Sequence, residues 1–183
     1  MATAGLASAH TNGRTRHGYD IGRRIIVKAL IVCTSVSHGN TRKIAEVMGG
    51  VLSAPVVAPE QVDPAALAGY DLVGFGSGIF QMSFHPQLRD FVRALPPQPA
   101  TAAFLFSTSG LPEPPLRRYN RSLERLLEQK GLEVVDTFSC RAFDTYLPFK
   151  LVGGIRKGRP DTNDLRAART FAEHLRSRTI PAS

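Results

Sequence analysis

Cysteine is scarce: the chain has 183 residues and two of them are cysteines, Cys33 and Cys140. Their spacing matches neither a zinc site nor a redox dithiol. Long apolar runs are missing too. None approaches the roughly 20 residues that a membrane-crossing helix needs. The most apolar stretch, Ile25 to Cys33, is short and broken by Lys28, which makes it a poor secretory signal. Acids are outnumbered, 15 Asp and Glu against 23 Lys and Arg, for a net charge of +8. Such a balance raises the question of nucleic acid, but the basic residues are scattered. Arg14, Arg16, Arg23 and Arg24 lie near the start, Arg117, Arg118 and Arg121 in one segment, and Arg156, Lys157 and Arg159 in another. No aromatic–basic motif accompanies them, so no nucleic-acid partner is expected. An acidic protein partner or an anionic cofactor is the expected use of the charge. A Gly-x-Ser-x-Gly elbow is also lacking, and no Ser–His–acid set can be placed, which argues against a serine hydrolase.

What is present suits one folded domain. Hydrophobic residues make up 43% of the chain and charged residues 21%. Residues 1–22 are expected to form a flexible basic tail, 23–178 the domain and 179–183 a short tail, in a cytoplasmic protein. Ile25–Cys33 is nearly continuous and β-branched, as in a strand buried on both faces. Ile44, Val47, Met48 and Val51 follow at helical spacing. Pro55-Val56-Val57 is a short extended piece, and 59–68 has room for a short helix at most. Asp71–Gly76 and Thr101–Phe106 read as further buried strands, each followed by a helical pattern: Leu88, Phe91, Val92, Leu95, and then Leu116, Leu123, Leu126, Leu127. Glu133–Cys140 reads as a strand, 141–160 as irregular, and Leu165, Ala168, Ala172 and Leu175 as a last helix opened by Asp161 or Thr162. Strands alternating with helices predict an α/β fold with a parallel sheet.

In such folds ligands bind beyond the carboxyl ends of the strands. Three stretches fall there: Thr34–Thr41, Gly76–Gln81 and Ser107–Gly110, all rich in Gly, Ser and Thr and free of Asp and Glu. The first joins a buried strand to a helix start. Unpaired N–H groups and the helix dipole at that place favour a phosphate, and Ser35, Ser37 and Thr41 add hydroxyls. Asn40 or Thr41 capping the helix, with Gly39 and the serines in a turn, explains the same residues without a ligand. The three stretches together favour a ligand site.

Their order resembles that of the flavodoxin-like flavoproteins, from about Ile25 to Leu175, and most of all the bacterial flavodoxin family proteins. Ser35-x-Ser37-x-Gly39-Asn40-Thr41 resembles the family's phosphate loop, with one extra residue. Tyr70–Phe80 is similar to its second flavin loop, and Phe106–Gly110 to its third; 138–145 and 153–160 resemble later segments. The resemblance implies a three-layer sandwich, a five-stranded parallel sheet of order 2-1-3-4-5, and bound FMN. It implies that Ser35, Ser37, His38, Gly39, Asn40 and Thr41 hold the phosphate. Ser77, Gly78, Ile79 and Phe80 would line one side of the flavin ring, and Ser107, Thr108, Ser109 and Gly110 the other. No residue is assigned to catalysis and none to a metal, because the flavin carries the chemistry. The implied function is that of an electron carrier or a two-electron oxidoreductase, working with a redox partner protein, a nicotinamide or a quinone. An NAD(P)H-dependent quinone reductase and a non-catalytic binding module on the same fold are the alternatives.

Three departures from the family pattern argue against a simple electron shuttle. Gln81 stands where flavodoxins often have Gly, Pro112-Glu113-Pro114-Pro115 where they have a stacking Tyr, and the chain is basic where they are acidic. Arg141 beside Cys140 would activate a thiol, whereas a strand end would bury it. A Cys33–Cys140 disulfide is not expected, since strands three positions apart are about 14 Å apart. His38 and His85 are expected in loops, in surface or turn roles.

Overall fold

The structure, a computed structural model, describes residues 27–36, 39–80, 82–98, 101–109, 118–141 and 159–179. The expected tail at 1–22 lies outside these residues. So do Ser37, His38, Gly110, Gln81 and the proline run at 112–115.

Strands β1 (Ala29–Thr34), β2 (Val56–Val57), β3 (Leu72–Phe80), β5 (Ala102–Ser109) and β6 (Glu133–Arg141) form a parallel sheet in the order β2-β1-β3-β5-β6. A two-residue strand, β4 (Ser83–Phe84), pairs antiparallel with the end of β3. With that hairpin arm set aside, this is the expected order 2-1-3-4-5. Helices α1 (Asn40–Leu52), α2 (Pro86–Ala94), α3 (Arg118–Gln129) and α4 (Thr162–Thr179) complete the layers. Two short 3-10 helices, Pro59–Gln61 and Pro64–Gly69, fill the proline-rich segment after β2.

Alternation along the buried strands divides the core in two. Leu30, Val32, Val73, Phe75, Ala103 and Leu105 pack against α2 and α3, through Leu88, Phe91, Val92, Leu123 and Leu127. Ile31, Cys33, Leu72, Phe104 and Phe106 point the other way, onto Ile44, Met48, Ala168, Ala172 and Leu175 of α1 and α4. On this second face the rings of Phe104 and Phe106 lie across Gly74 and Gly76 of β3, where a Cβ would sit inside either ring. Those glycines exist because the neighbouring strand's aromatics occupy their side-chain space.

Boundaries depart from expectation in one direction. The strands run further toward their carboxyl ends: β3 to Phe80 rather than Gly76, and β5 to Ser109 rather than Phe106. Gly, Ser and Thr suggest loops by composition. Here ladder partners on both sides keep them extended, Ser77 between Thr34 and Ser107 and Gly78 beside Thr108. The start of β1 also shifts toward the carboxyl end, to Ala29. Lys28 lies before the ladder, its N–H on the Asp71 carboxylate at 2.8 Å and its ammonium 4.6 Å from the Tyr70 ring centre. At the last helix, Asp161 is the cap, its Oδ1 accepting from the N–H groups of Asn163 (2.8 Å) and Asp164 (3.1 Å). Mainly through the Asp164 bond, its carboxyl is held below the usual carboxylate range.

Candidate functional site

The parallel register carries one row of hydroxyls across four strands near their carboxyl ends. Thr34 pairs with Ser77, Ser77 with Ser107, and Ser107 with Ser139. In-register neighbours share a face, here the α2/α3 face. Thr34, Ser77 and Ser107 are buried. A buried hydroxyl ordinarily has a partner, yet Thr34 Oγ1 and Ser107 Oγ have none among the described residues. Asn120 Oδ1, buried near the start of α3 on the same side of the sheet, also lacks one. A fourth such atom, Gln98 Oε1, precedes β5 at the opposite edge. Ser77 differs from its row neighbours. Its Oγ donates to the Gly78 carbonyl at 2.8 Å and accepts from the His85 N–H at 2.9 Å. That hydroxyl ties β3 to the entry of α2. His85 Nδ1 in turn accepts from the Gln87 N–H at 3.3 Å and caps α2, the turn role expected of it.

The three expected stretches meet at one point. Thr41 Oγ1, in the first turn of α1, lies 2.8 Å from Thr108 Oγ1 at the end of β5, 67 residues away in the chain. A Cβ placed on Gly78 of β3 would come within 3.9 Å of both oxygens. One residue from each stretch therefore converges on the α1/α4 side of the same rim. Asn40 and Thr41 are buried there. Ile79 is half-buried and Ser109 likewise.

The amino end of α1 suits an anion. Gly39 caps it with φ 67°, a left-handed conformation that glycine adopts without strain. It offers no side-chain cap, and the first turn holds no acid. Ser35 Oγ lies over this end and accepts from the Arg42 N–H at 3.4 Å. The guanidinium of Arg42 turns away to Glu46, at 2.9 Å. The amino end of a helix with no acid in its first turn and a serine hydroxyl above it is a place that favours an anion.

Apolar side chains stand at the same rim. Val36 after β1, Phe80 at the end of β3 and Met82 in the hairpin are exposed by 71%, 42% and 57%, and they are the large hydrophobics so exposed among the described residues. Met82 has φ 60°, the left-handed turn that folds β4 back on β3. The hairpin replaces the loop expected at Ser77–Gln81, and Phe80 projects from a paired strand end.

Burial holds both thiols in the neutral form. Burial pushes both Cys33 and Cys140 up to about 12, against 9.0 for a free thiol. Both are unbonded, on strands three places apart in the sheet. For Cys140, Asp164 adds to the rise and Arg159 opposes it. Among the described residues, no group of three or more His, Cys, Asp or Glu side chains could hold a metal ion. Nor is any described helix long and apolar enough to cross a membrane.

Thr34, the first residue of the stretch 34–41, is placed in the hydroxyl row by the structure and was not singled out by sequence. The available signal was parity: Leu30, Val32 and Thr34 share a face, so a hydroxyl closes an apolar alternation at a strand's carboxyl end.

Comparisons with known proteins agree with the fold. A family model described as a flavodoxin domain matches residues 31–144. An uncharacterized protein of Methanocaldococcus jannaschii is 36% identical over 150 residues, 81% of this chain and 98% of its own. Among solved structures, a flavodoxin from the domain Archaea superposes with a TM-score of 0.60 at 19% identity, covering 83% of this chain and 98% of that one. Oxidised flavodoxin 2 from Bacillus cereus gives 0.60 at 19% identity, covering 79% and 94%. These two structures share the fold.

Proposed function

The chain belongs to the flavodoxin domain family, and on that premise we propose that it is an FMN-binding redox protein acting in the cytoplasm as an electron carrier or a two-electron oxidoreductase. The observation that carries this reading is the convergence of Thr41, Thr108 and Gly78 beside the open amino end of α1.

In this reading the N–H groups at the start of α1, with Ser35, Asn40 and Thr41, hold the phosphate; Ser37, His38 and the Gly39 backbone complete the loop. The helix dipole contributes to holding a dianion there without a metal. Thr34 and Ser107 offer their unpaired hydroxyls to the polar chain between phosphate and ring. Phe80 and Ile79 supply an apolar wall, with the backbone of Ser77 and Gly78 at its foot. Thr108 and Ser109 of β5 would line the other side, joined by Gly110, which lies outside the described residues. Bound FMN supplies the acceptance and release of electrons, and the chain's part is to orient it and to shape its surroundings. A protein partner, a nicotinamide or a quinone would exchange electrons at the rim beside Phe80 and Met82.

The test is a titration of cofactor-free protein with FMN, followed by quenching of flavin fluorescence. Saturable binding that weakens in Thr41→Val and Thr108→Val, with riboflavin binding less tightly than FMN, is the expected result. Failure to bind FMN would overturn the proposal. A potentiometric titration of the loaded protein then separates the two roles: one two-electron wave marks the oxidoreductase, and two resolved one-electron waves mark the carrier.

A further inference from the structure

A second concave site lies behind the hairpin, on the face carrying α2 and α3. Ser83 and Phe84 of β4, Arg89 and Arg93 of α2, and Arg125 and Leu126 of α3 line a cavity of about 150 Å³. The three arginines come from two helices, and no carboxylate is among the lining residues. Arg89 is half-buried and donates from Nη1 to Ser83 Oγ at 3.2 Å. Arg93 is exposed and reaches Asp90 one turn back on its own helix. Arg125 is exposed, and no hydrogen bond or ion pair to it is found among the described residues.

The groove's position relative to the candidate flavin site is fixed by pairing. Ser83 sits opposite Phe80 and Phe84 opposite Ile79 in the hairpin. Its inner wall is therefore the strand paired with the apolar wall of that site. We propose that this groove docks a carboxylate-rich surface segment of the protein's redox partner. That the partner is a redox protein rests on the FMN reading above; the acid-binding groove does not.

Charge and size favour this occupant. Arg presents a planar fork that matches carboxylates two bonds at a time; Arg93 already meets Asp90, whereas Arg89 and Arg125 meet no carboxylate among the described residues and attract a negatively charged segment. The cavity holds one anionic group but is too small for a dinucleotide, whose site would need about 300 Å³ or more. Three arginines lining one hollow, instead of a stripe, suit a protruding acidic side chain better than a phosphate backbone. The chain as a whole carries +8, so the field around the groove is attractive to an acidic protein at a distance.

The experiment uses FMN-loaded protein and fluorescently labelled short poly-L-glutamate, with binding read by anisotropy at low and at physiological salt. Two charge-reversed pairs with the same change in net charge are compared: R93E/R125E in the groove, and R166E/R169E on exposed positions of α4. Weakening by about tenfold or more in the groove pair and by less than about twofold in the α4 pair is expected, with the difference shrinking as salt screens it. FMN affinity should be unchanged in both. The single variant R125E gives an intermediate value and guards against a misfolded double variant. Equal weakening in both pairs would overturn the proposal, because net charge alone would then explain binding. Inorganic phosphate displacing the peptide at lower concentration than free glutamate would overturn it in favour of a phosphate site. A labelled DNA duplex binding more tightly than the peptide, with the same dependence on Arg93 and Arg125, would overturn it in favour of nucleic acid. If the chain takes up no FMN, the redox reading falls, and the peptide titration of the unloaded protein still decides the groove.

Discussion

Cys33, Gly76, Phe106 and Phe138 stand side by side across the sheet, and one residue further along each strand stand Thr34, Ser77, Ser107 and Ser139. The first row faces α1 and α4 and is filled so tightly that a methyl group on Gly76 would meet the Phe106 ring. The second faces α2 and α3 and leaves two of its hydroxyls, on Thr34 and Ser107, without partners. A few ångströms separate them. The apolar row is complete as the chain folds, and each atom there contributes through contact. The hydroxyl row carries unmet hydrogen-bonding capacity, which costs stability unless something else supplies the missing partners. Protein regions that are complete and regions that await a ligand can thus alternate residue by residue along one strand.

Gly76→Ala tests the filled row and should have the largest effect. The added Cβ has to displace the Phe106 ring, so a loss of about 1–3 kcal/mol is expected. Urea denaturation checks it, and an unchanged midpoint would mean the row has slack. Ser77→Ala comes next. It removes the acceptor of the half-buried His85 N–H and the donor to Gly78, which should cost about 1–2 kcal/mol. The sharpest contrast within the hydroxyl row is Ser107→Ala. It deletes an orphan, so the cofactor-free protein should keep or gain stability, by up to about 1 kcal/mol. FMN affinity should nevertheless fall by about fivefold, the equivalent of one hydrogen bond. Thr34→Val should behave in the same way. Loss of stability without loss of affinity in both variants would erase the distinction between the rows.

The last prediction concerns the thiols, whose effect is nil near neutral pH and emerges only on the alkaline side. With pKa values raised to about 12, Cys33 and Cys140 stay protonated in the fold while unfolded thiols ionise near 9.0. Between those limits the native state binds more protons than the unfolded one, so stability should fall as pH rises from about 9 toward 12. Near pH 8 a disulfide reagent should label neither thiol in the native protein and both after unfolding. Fast native labelling of Cys140 would instead identify a reactive thiol.

Much of this was legible beforehand, for reasons that particular residues make plain. Ala29 to Thr34 is buried at every position, so its apolar continuity announced a central parallel strand. Leu88, Phe91 and Val92, and likewise Leu123 and Leu127, keep helical spacing because each helix buries one stripe. The hairpin was not legible. Its turn contains Met82 at φ 60°, and methionine carries none of the Gly or Asn signal that announces such a turn. The continued strands at Ser77–Phe80 and Ser107–Ser109 were read as loops because composition is local and ladder pairing is not. The arginine groove was invisible for a similar reason: Arg89, Arg93 and Arg125 come from two helices separated by a strand.

By itself, the order of amino acids determined the elements, their alternation and the identity of the hydroxyl- and glycine-bearing segments, because hydrophobic period and turn chemistry act over a few neighbouring residues. Only the tertiary structure decided which hydroxyls share a row, which are left without a partner, and that Thr41 reaches Thr108. Those outcomes depend on register between distant strands, and register is settled by the packing of both core layers at once.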